Sequence, residues 1–352
     1  MRLLLALSLF STIAAGAVAQ EATIQPAPEL AKFAPVIGHF EGSGTVVPAP
    51  GIPPMQWTAT SVTKKILNGH FIQEDLHVEF GDVMPAMDMR TLYGWDAEKE
   101  RIGAFTVSNS GPATVVDAHW AGDGVLIGST NAMEDGQPVV DRWVSTYTKA
   151  GATFKIHRTM GAEAPFLHVE GTMKRVAGGA TAKSAGKVLG GLVAQPPAMA
   201  KLAKIAGEYD VKGTMVMEPG TPAMNIYGTE TATVEFGGNV LQFRVVGGME
   251  GTPADYEAIS YVTWDPTDKC YRHFSASNMG EYGVMDMRWS GDGALVSNHA
   301  TSMQGQPVSM RSILKIDPAK GIVASSNDMM LGDMPATTTF NATYTRKMGK
   351  KQ

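Results

Sequence analysis

The chain has 352 residues, with 29 basic against 34 acidic side chains and a formal charge of −5 at pH 7. That mild acidity, with no basic stripe and no interleaving of aromatic and basic residues, argues against nucleic acid as a partner. A single cysteine, Cys270, excludes an internal disulfide.

Met1 to Ala19 reads as a secretory signal peptide. Arg2 gives the positive end, Leu3 to Phe10 an apolar run, and Ala17-Val18-Ala19 a small-residue cleavage site before Gln20. The run is too short to span a bilayer and no second one follows, so no membrane span is expected. The mature protein is expected in the periplasm or secreted. Residues 20–27 form a polar lead-in. From residue 28 to 176 the apolar period is two, as in Ile72, Glu74, Leu76, Val78 and Phe80 against Gln73, Asp75, His77 and Glu79. Trp143, Ser145 and Tyr147 likewise alternate with Val144, Thr146 and Thr148. Turns punctuate the strands at Asn68-Gly69, Gly122-Asp123-Gly124, Asp135-Gly136 and Ala150-Gly151, giving about ten strands. Residues 177–197, rich in Gly, Ala, Lys and Pro, read as a linker. Residues 198–348 then repeat what came before. The only helical hints precede each first strand, at Glu29 to Val36 and Ala198 to Ile205.

The repeat holds a fixed register of 169 residues. Gly38, Gly44 and Thr45 return as Gly207, Gly213 and Thr214, and Trp95-Asp96 as Trp264-Asp265. Ser108-Asn109 returns as Ser277-Asn278, Asp117 and Trp120 as Asp286 and Trp289, and Gly136-Gln137-Pro138-Val139 as Gly305-Gln306-Pro307-Val308. So long a period means two copies of a whole domain, each with its own core. Ten short antiparallel strands leave no exposed edge if they close into a barrel. The expected fold is all-β: two tandem antiparallel barrels.

Each copy opens on Gly-x-aromatic, Gly38-His39-Phe40 and Gly207-Glu208-Tyr209, and ends its last strand on Arg175 or Arg346. This resembles the lipocalin (calycin-type) superfamily, where Gly-x-Trp on the first strand packs under an arginine of the last. Here Phe40 and Tyr209 replace the Trp. Residues 30–176 look like the domain-of-unknown-function-1579 family. The likeness is carried by Ile37-Gly38-His39-Phe40-Glu41-Gly42, Ile66-Leu67-Asn68-Gly69-His70-Phe71, Tyr93-Gly94-Trp95-Asp96 and Gly136-Gln137-Pro138-Val139, and it is looser in the second copy. The resemblance implies a lipocalin-like barrel and no known activity. The stretch Phe166-Leu167-His168-Val169-Glu170-Gly171-Thr172-Met173-Lys174-Arg175 is similar to the last strand of nitrobindin, a ten-stranded haem-binding barrel. That resemblance implies haem as a cofactor, with His168 as ligand to its iron; the second copy has Thr339 there. Strict alternation sets Glu170 on the strand face of His168.

Polar residues kept in both copies are the candidates for fixing a ligand's polar end: Gln73 with Gln242, Asn109 with Asn278, and Arg142 with Arg311. The competing reading is structural, with Asp117 pairing to Arg142 on an adjacent strand. Methionine pairs at i, i+2 (Met87/Met89, Met215/Met217, Met285/Met287) suit either Cu(I) or, more simply, an adaptable apolar lining, and no metal site is assigned. Cys270 and His273 at i, i+3 fall on opposite faces of a strand. His70 and Glu74 share a strand face but have no third orienting group. No nucleophile elbow, P-loop or zinc-binding His-Glu-x-x-His occurs, so the sequence states no reaction. The expected function is binding of a small apolar or amphipathic, lipophilic molecule inside the barrels. The alternatives are a haem-binding barrel at His168 and an enzyme with a polar barrel pocket.

Overall fold

A computed structural model describes residues 25–97, 99–134, 136–177, 193–216, 220–252, 255–291, 293–303 and 306–347. The signal-peptide reading, most of the linker reading and Met217 lie outside the described residues. The chain divides between Ala194 and Gln195 into two compact units.

The first unit is a closed ten-stranded antiparallel barrel. Its strands are β1 (Gly38–Val46), β2 (Met55–Ile66), β3 (Phe71–Glu79), β4 (Met87–Asp96), β5 (Arg101–Ser108), β6 (Gly111–Trp120), β7 (Val125–Glu134), β8 (Gln137–Thr148), β9 (Gly151–Met160) and β10 (Phe166–Arg175). Each pairs with its sequence neighbours, and β1 closes on β10 with Phe40 opposite Arg175 and Gly44 opposite Gly171. Consecutive hairpins alone produce this order, so every ladder hydrogen bond is local except those of the closing seam.

The second unit is built alike from β11 (Gly207–Met215), β12 (Met224–Glu235), β13 (Val240–Met249), β14 (Tyr256–Asp265), β15 (Cys270–Ser277), β16 (Tyr282–Trp289), β17 (Ala294–Met303), β18 (Gln306–Asp317), β19 (Gly321–Leu331) and β20 (Thr337–Arg346). It is also a closed barrel, sealed between β11 and β20. The all-β tandem expected from the turn spacing is what folds. Among the described residues no helix is long and apolar enough to cross a membrane.

One end of each barrel is stoppered by the short helical segment that precedes its first strand. In the first, α1 (Pro28–Ala31) and a 3₁₀ turn at Ala34–Val36 bury Leu30, Phe33 and Val36. Phe33 meets Tyr93 and Trp120 at ring-centroid distances of 5.0 Å. In the second, α2 (Pro197–Leu202) and the following 3₁₀ turn bury Met199, Leu202 and Ile205. Beneath each plug the terminal arginine does what the Gly-x-aromatic pattern implies. The Arg175 guanidinium lies 4.9 Å from the Phe40 ring and donates to the carbonyls of Pro35 and Ile37; that of Arg346 lies 5.9 Å from Tyr209 and donates to Ala206. The glycine is required in the first copy because Gly38 has φ +136° and a Cβ there would stand 2.5 Å from Arg175.

Candidate functional site

Alternation along the strands decides which residues meet inside. In the first barrel the inner wall carries Trp57, Ala59 and Ser61 of β2, Glu74 and Leu76 of β3, Met87, Met89 and Tyr93 of β4, Trp143 and Tyr147 of β8, and Phe154 of β9. Several of these, including Glu74, Met89, Tyr93, Trp143, Tyr147 and Phe154, are only half-buried although they point into a closed barrel. Solvent therefore reaches the inside of this lumen.

Glycines shape its wall. Trp57 and Phe154 stack with centroids 5.7 Å apart. Trp57 lies so close over Gly171 and Gly44 that a Cβ on either would come within 2.2 and 2.5 Å of its ring. Trp143 lies over Gly128 in the same way, at 2.4 Å. The missing side chains let both indoles lie against the sheet.

One carboxyl is set among these rings. Glu74 accepts the Tyr93 hydroxyl at 3.2 Å, and Ser61 also bonds to it. Burial pushes its pKa up, partly offset by the Tyr93 hydrogen bond. Burial pushes the Tyr147 phenol well above its ordinary pKa, and the nearby Glu74 charge adds to the rise. Towards the other end of the same wall, Arg158 donates to both oxygens of Asp141 at 2.8 and 2.7 Å and reaches Glu134 at 3.2 Å.

His168 lies on that side as well. A bulge between Leu167 and Val169 breaks the pairing of β10 with β9. It lifts the imidazole out of strict alternation and into electrostatic reach of Arg158, Asp141 and Glu134. The expectation that Glu170 shares its face fails for this reason: Glu170 faces outward and pairs with Lys155 at 3.7 Å. The His168 Nδ1–H donates to the Val47 carbonyl at 2.7 Å, so the neutral ring keeps its lone pair on Nε2. Burial lowers the imidazole pKa, which favours that neutral form. In the second barrel the residue at this bulge is Thr339, whose carbonyl takes the Val216 amide as that of His168 takes Val47.

The second barrel repeats the shell and not the contents. Trp57, Trp143, Phe154, Gly128 and Gly171 give way to Ile226, Ser312, Ser325, Ser297 and Ala342, and Glu74 to Phe243. Here the inward side chains are buried, among them Tyr209, Val211, Phe243, Tyr271 and Leu295. A void of about 10 Å³ beside His273 and Leu202 has room for about one water. This filled core departs from the expectation of an interior cavity in each copy. Within the second core Glu230 has neither carboxylate oxygen hydrogen-bonded to protein, and His273 neither ring nitrogen. Burial raises Glu230 to about 8 and lowers His273 to about 4.

The six polar candidates do not converge on either lumen. Gln73 lies on the outer face of β3, donating to Asp75 at 2.6 Å, where Asp75 also holds Arg90. Gln242 takes the equivalent outer position on β13. Arg142 is exposed and lines an outer groove of about 690 Å³ with His157, Lys155 and Glu170, and Arg311 is exposed on the outer face of β18. Asn109 and Asn278 brace turns instead: Asn109 accepts the Asp88 amide and donates to Ala86, and Asn278 does the same with Glu257 and Asp255. The pairing of Asp117 with Arg142 is also replaced, because β7 lies between them. Asp117 pairs with Arg101, and Asp286 with Arg272 at 3.4 Å. The sequence did hold the signal for Glu74, which falls in the apolar row of Ile72, Leu76 and Val78, while Arg142 has the opposite parity to Trp143 and Tyr147.

Metal-binding chemistry gains little. Met87 and Met89 line the first lumen, and Met285 and Met287 pack the second core. Asp268, Cys270 and Asp286 bring three ligand atoms within 4.8 Å of one another. The Arg272 guanidinium already sits among them, 3.0 Å from Asp268 and 3.4 Å from Asp286, and supplies the positive charge.

Residues 196–346, the second barrel, match the family model DUF1579, described as a protein of unknown function. This is the family named above from the first copy's residues; the match itself lies on the second. No curated protein matches the chain. Among solved structures the chain is similar to Rv2717c from M. tuberculosis at 12% identity and a TM-score of 0.35, covering 44% of this chain and 100% of that one. It is also similar to a protein of unknown function from the DUF3598 family of Nostoc punctiforme, at 10% identity and a TM-score of 0.24, covering 91% and 100%.

Proposed function

We propose that this tandem of barrels, its second copy carrying the DUF1579 match, is an exported binding protein. The first barrel takes a small apolar or amphipathic guest, and the second is a packed partner domain without a comparable site. The observation that carries this is the first barrel's inner wall, where aromatic side chains that point inward remain solvent-accessible. Rings laid flat over Gly44, Gly128 and Gly171 give a guest large apolar contact area at little entropic cost, because each ring has only two side-chain torsions to fix. Export is supported by the pattern of residues 1–19. A lipophilic fluorescent dye is expected to brighten on titration with the purified chain, and native mass spectrometry to show one guest per chain. Ligand-free spectra together with no dye uptake would remove the reading.

His168 supports a second reading, with haem as the guest. Its Nε2 is the free nitrogen, and the Val47 carbonyl that fixes the other nitrogen is the kind of partner that orients an axial imidazole. When bound, haem would supply an iron able to take a diatomic ligand, and the aromatic wall would flank the macrocycle. On this reading haem titrated into the protein shows a shifted Soret band that His168→Ala abolishes. An unchanged band in that variant ends it.

A further inference from the structure

The first lumen also specifies the charge of what enters it, an inference that rests on the binding reading above. By strand parity the charged side chains along its inner wall, among the described residues, are Glu74, Glu134, Asp141 and Arg158, with Lys65 and Arg175 at the plugged end. Arg158 is committed through two hydrogen bonds to Asp141 and a third to Glu134, Arg175 donates to the carbonyls of Pro35 and Ile37, and Lys65 is exposed at the end of β2. A carboxylate guest seated along the wall would thus find no uncommitted cation beside it, and would face the repulsion of Glu74. The remaining polar chemistry is an acid held by Tyr93 and Ser61 within a wall of Trp57, Trp143, Tyr147 and Phe154. A carboxylate among aromatic faces is the combination that stabilises an organic cation, by direct ion pairing and through the negative faces of the rings. In the second barrel the Glu74 position is Phe243, and its inward carboxyl, Glu230, is sealed in a packed core, so a carboxyl on a solvent-reached aromatic wall belongs to the first.

We infer that the first barrel binds an organic ammonium with an apolar tail, its cationic end directed to Glu74 and its tail along the Trp57, Trp143 and Phe154 wall.

Isothermal titration of the full mature chain with dodecyltrimethylammonium, dodecanol and laurate, each below its micellar concentration, tests this. The ammonium is expected to bind at least about tenfold more tightly than laurate and severalfold more tightly than dodecanol. Glu74→Gln keeps the shape and the Tyr93 contact. It is expected to erase the preference, so that the ammonium and dodecanol bind within about twofold of each other. If laurate binds as well as the ammonium, or the Gln variant keeps the preference, the charge assignment is overturned while lumen binding stands. If none of the three probes binds, lumen binding itself fails. The ranking on the unsubstituted chain is decisive even where the variant folds poorly.

Discussion

Glu230→Gln is expected to leave stability nearly unchanged at pH 4 and to raise it by roughly 5 kcal/mol above pH 8, as converted from the shift between 4.5 and about 8. Glu230 lies on β12 opposite Tyr209 and Val245, wholly buried, with both oxygens lacking a protein partner. Such a carboxyl is held as the neutral acid because ionising it there forfeits hydration that nothing replaces. Below pH 4.5 the folded and unfolded chains both hold the proton, and no cost arises. Between 4.5 and about 8 the unfolded chain loses its proton while the folded one keeps it, so stability falls as pH rises. The glutamine amide has no proton to lose and removes that slope. His273 runs the other way. Its folded pKa is depressed to about 4, so its cost is absent above pH 6.5 and grows as pH falls towards 4, reaching roughly 3 kcal/mol. His273→Leu should accordingly relieve acid sensitivity only. Denaturant titrations at pH 4, 6 and 9 would show these crossed dependences, and a Glu230→Gln difference that stays flat across pH would refute the first.

The second large effect concerns Gly171. Alanine there would place its methyl carbon 2.2 Å from Cζ2 and 2.4 Å from Cη2 of Trp57, and 3.1 Å from Phe154. The strand cannot retreat, since Gly171 is paired to Gly44 on one side and Phe154 on the other. The indole must swing inward, at a cost of about 1–3 kcal/mol typical of overpacking, and it then occupies the lumen. Dye uptake should be lost with it. The second barrel shows the compensating pair, Ala342 and Ile226 flanking Gly213 where the first has Gly171 and Trp57 flanking Gly44. Trp57→Ile combined with Gly171→Ala should therefore recover stability relative to Gly171→Ala alone, by a coupling of about 1 kcal/mol or more in a double-mutant cycle. A Gly171→Ala variant with unchanged melting and full dye uptake would show that the ring does not rest on that wall.

Much of the candidate site was readable without coordinates, though not through the features that duplication draws the eye to. Residues kept in both copies, such as Asn109, Asp117 and their counterparts, brace turns and hold outer ion pairs, because both shells need the same hairpins. A binding interior is under no such constraint. Its residues are those that differ between the copies: Glu74 against Phe243, Trp143 against Ser312, and Gly171 against Ala342. Parity along β3 and β8 already put Glu74, Trp143 and Tyr147 on one face and Gln73 and Arg142 on the other.

From its sequence alone this protein was determined to be two copies of one antiparallel domain. Turn glycines at regular spacing, a side-chain period of two and a constant register are local properties, and a chain of hairpins needs nothing else to define its order. Tertiary structure decided what the copies contain. Whether Trp57 lies flat depends on Gly171, two strands away in space and more than a hundred residues away in sequence. The face His168 presents depends on one extra residue in a ladder. The first is an outcome of ring closure, which brings β1 and β10 together, and the second of a bulge within the β9–β10 hairpin.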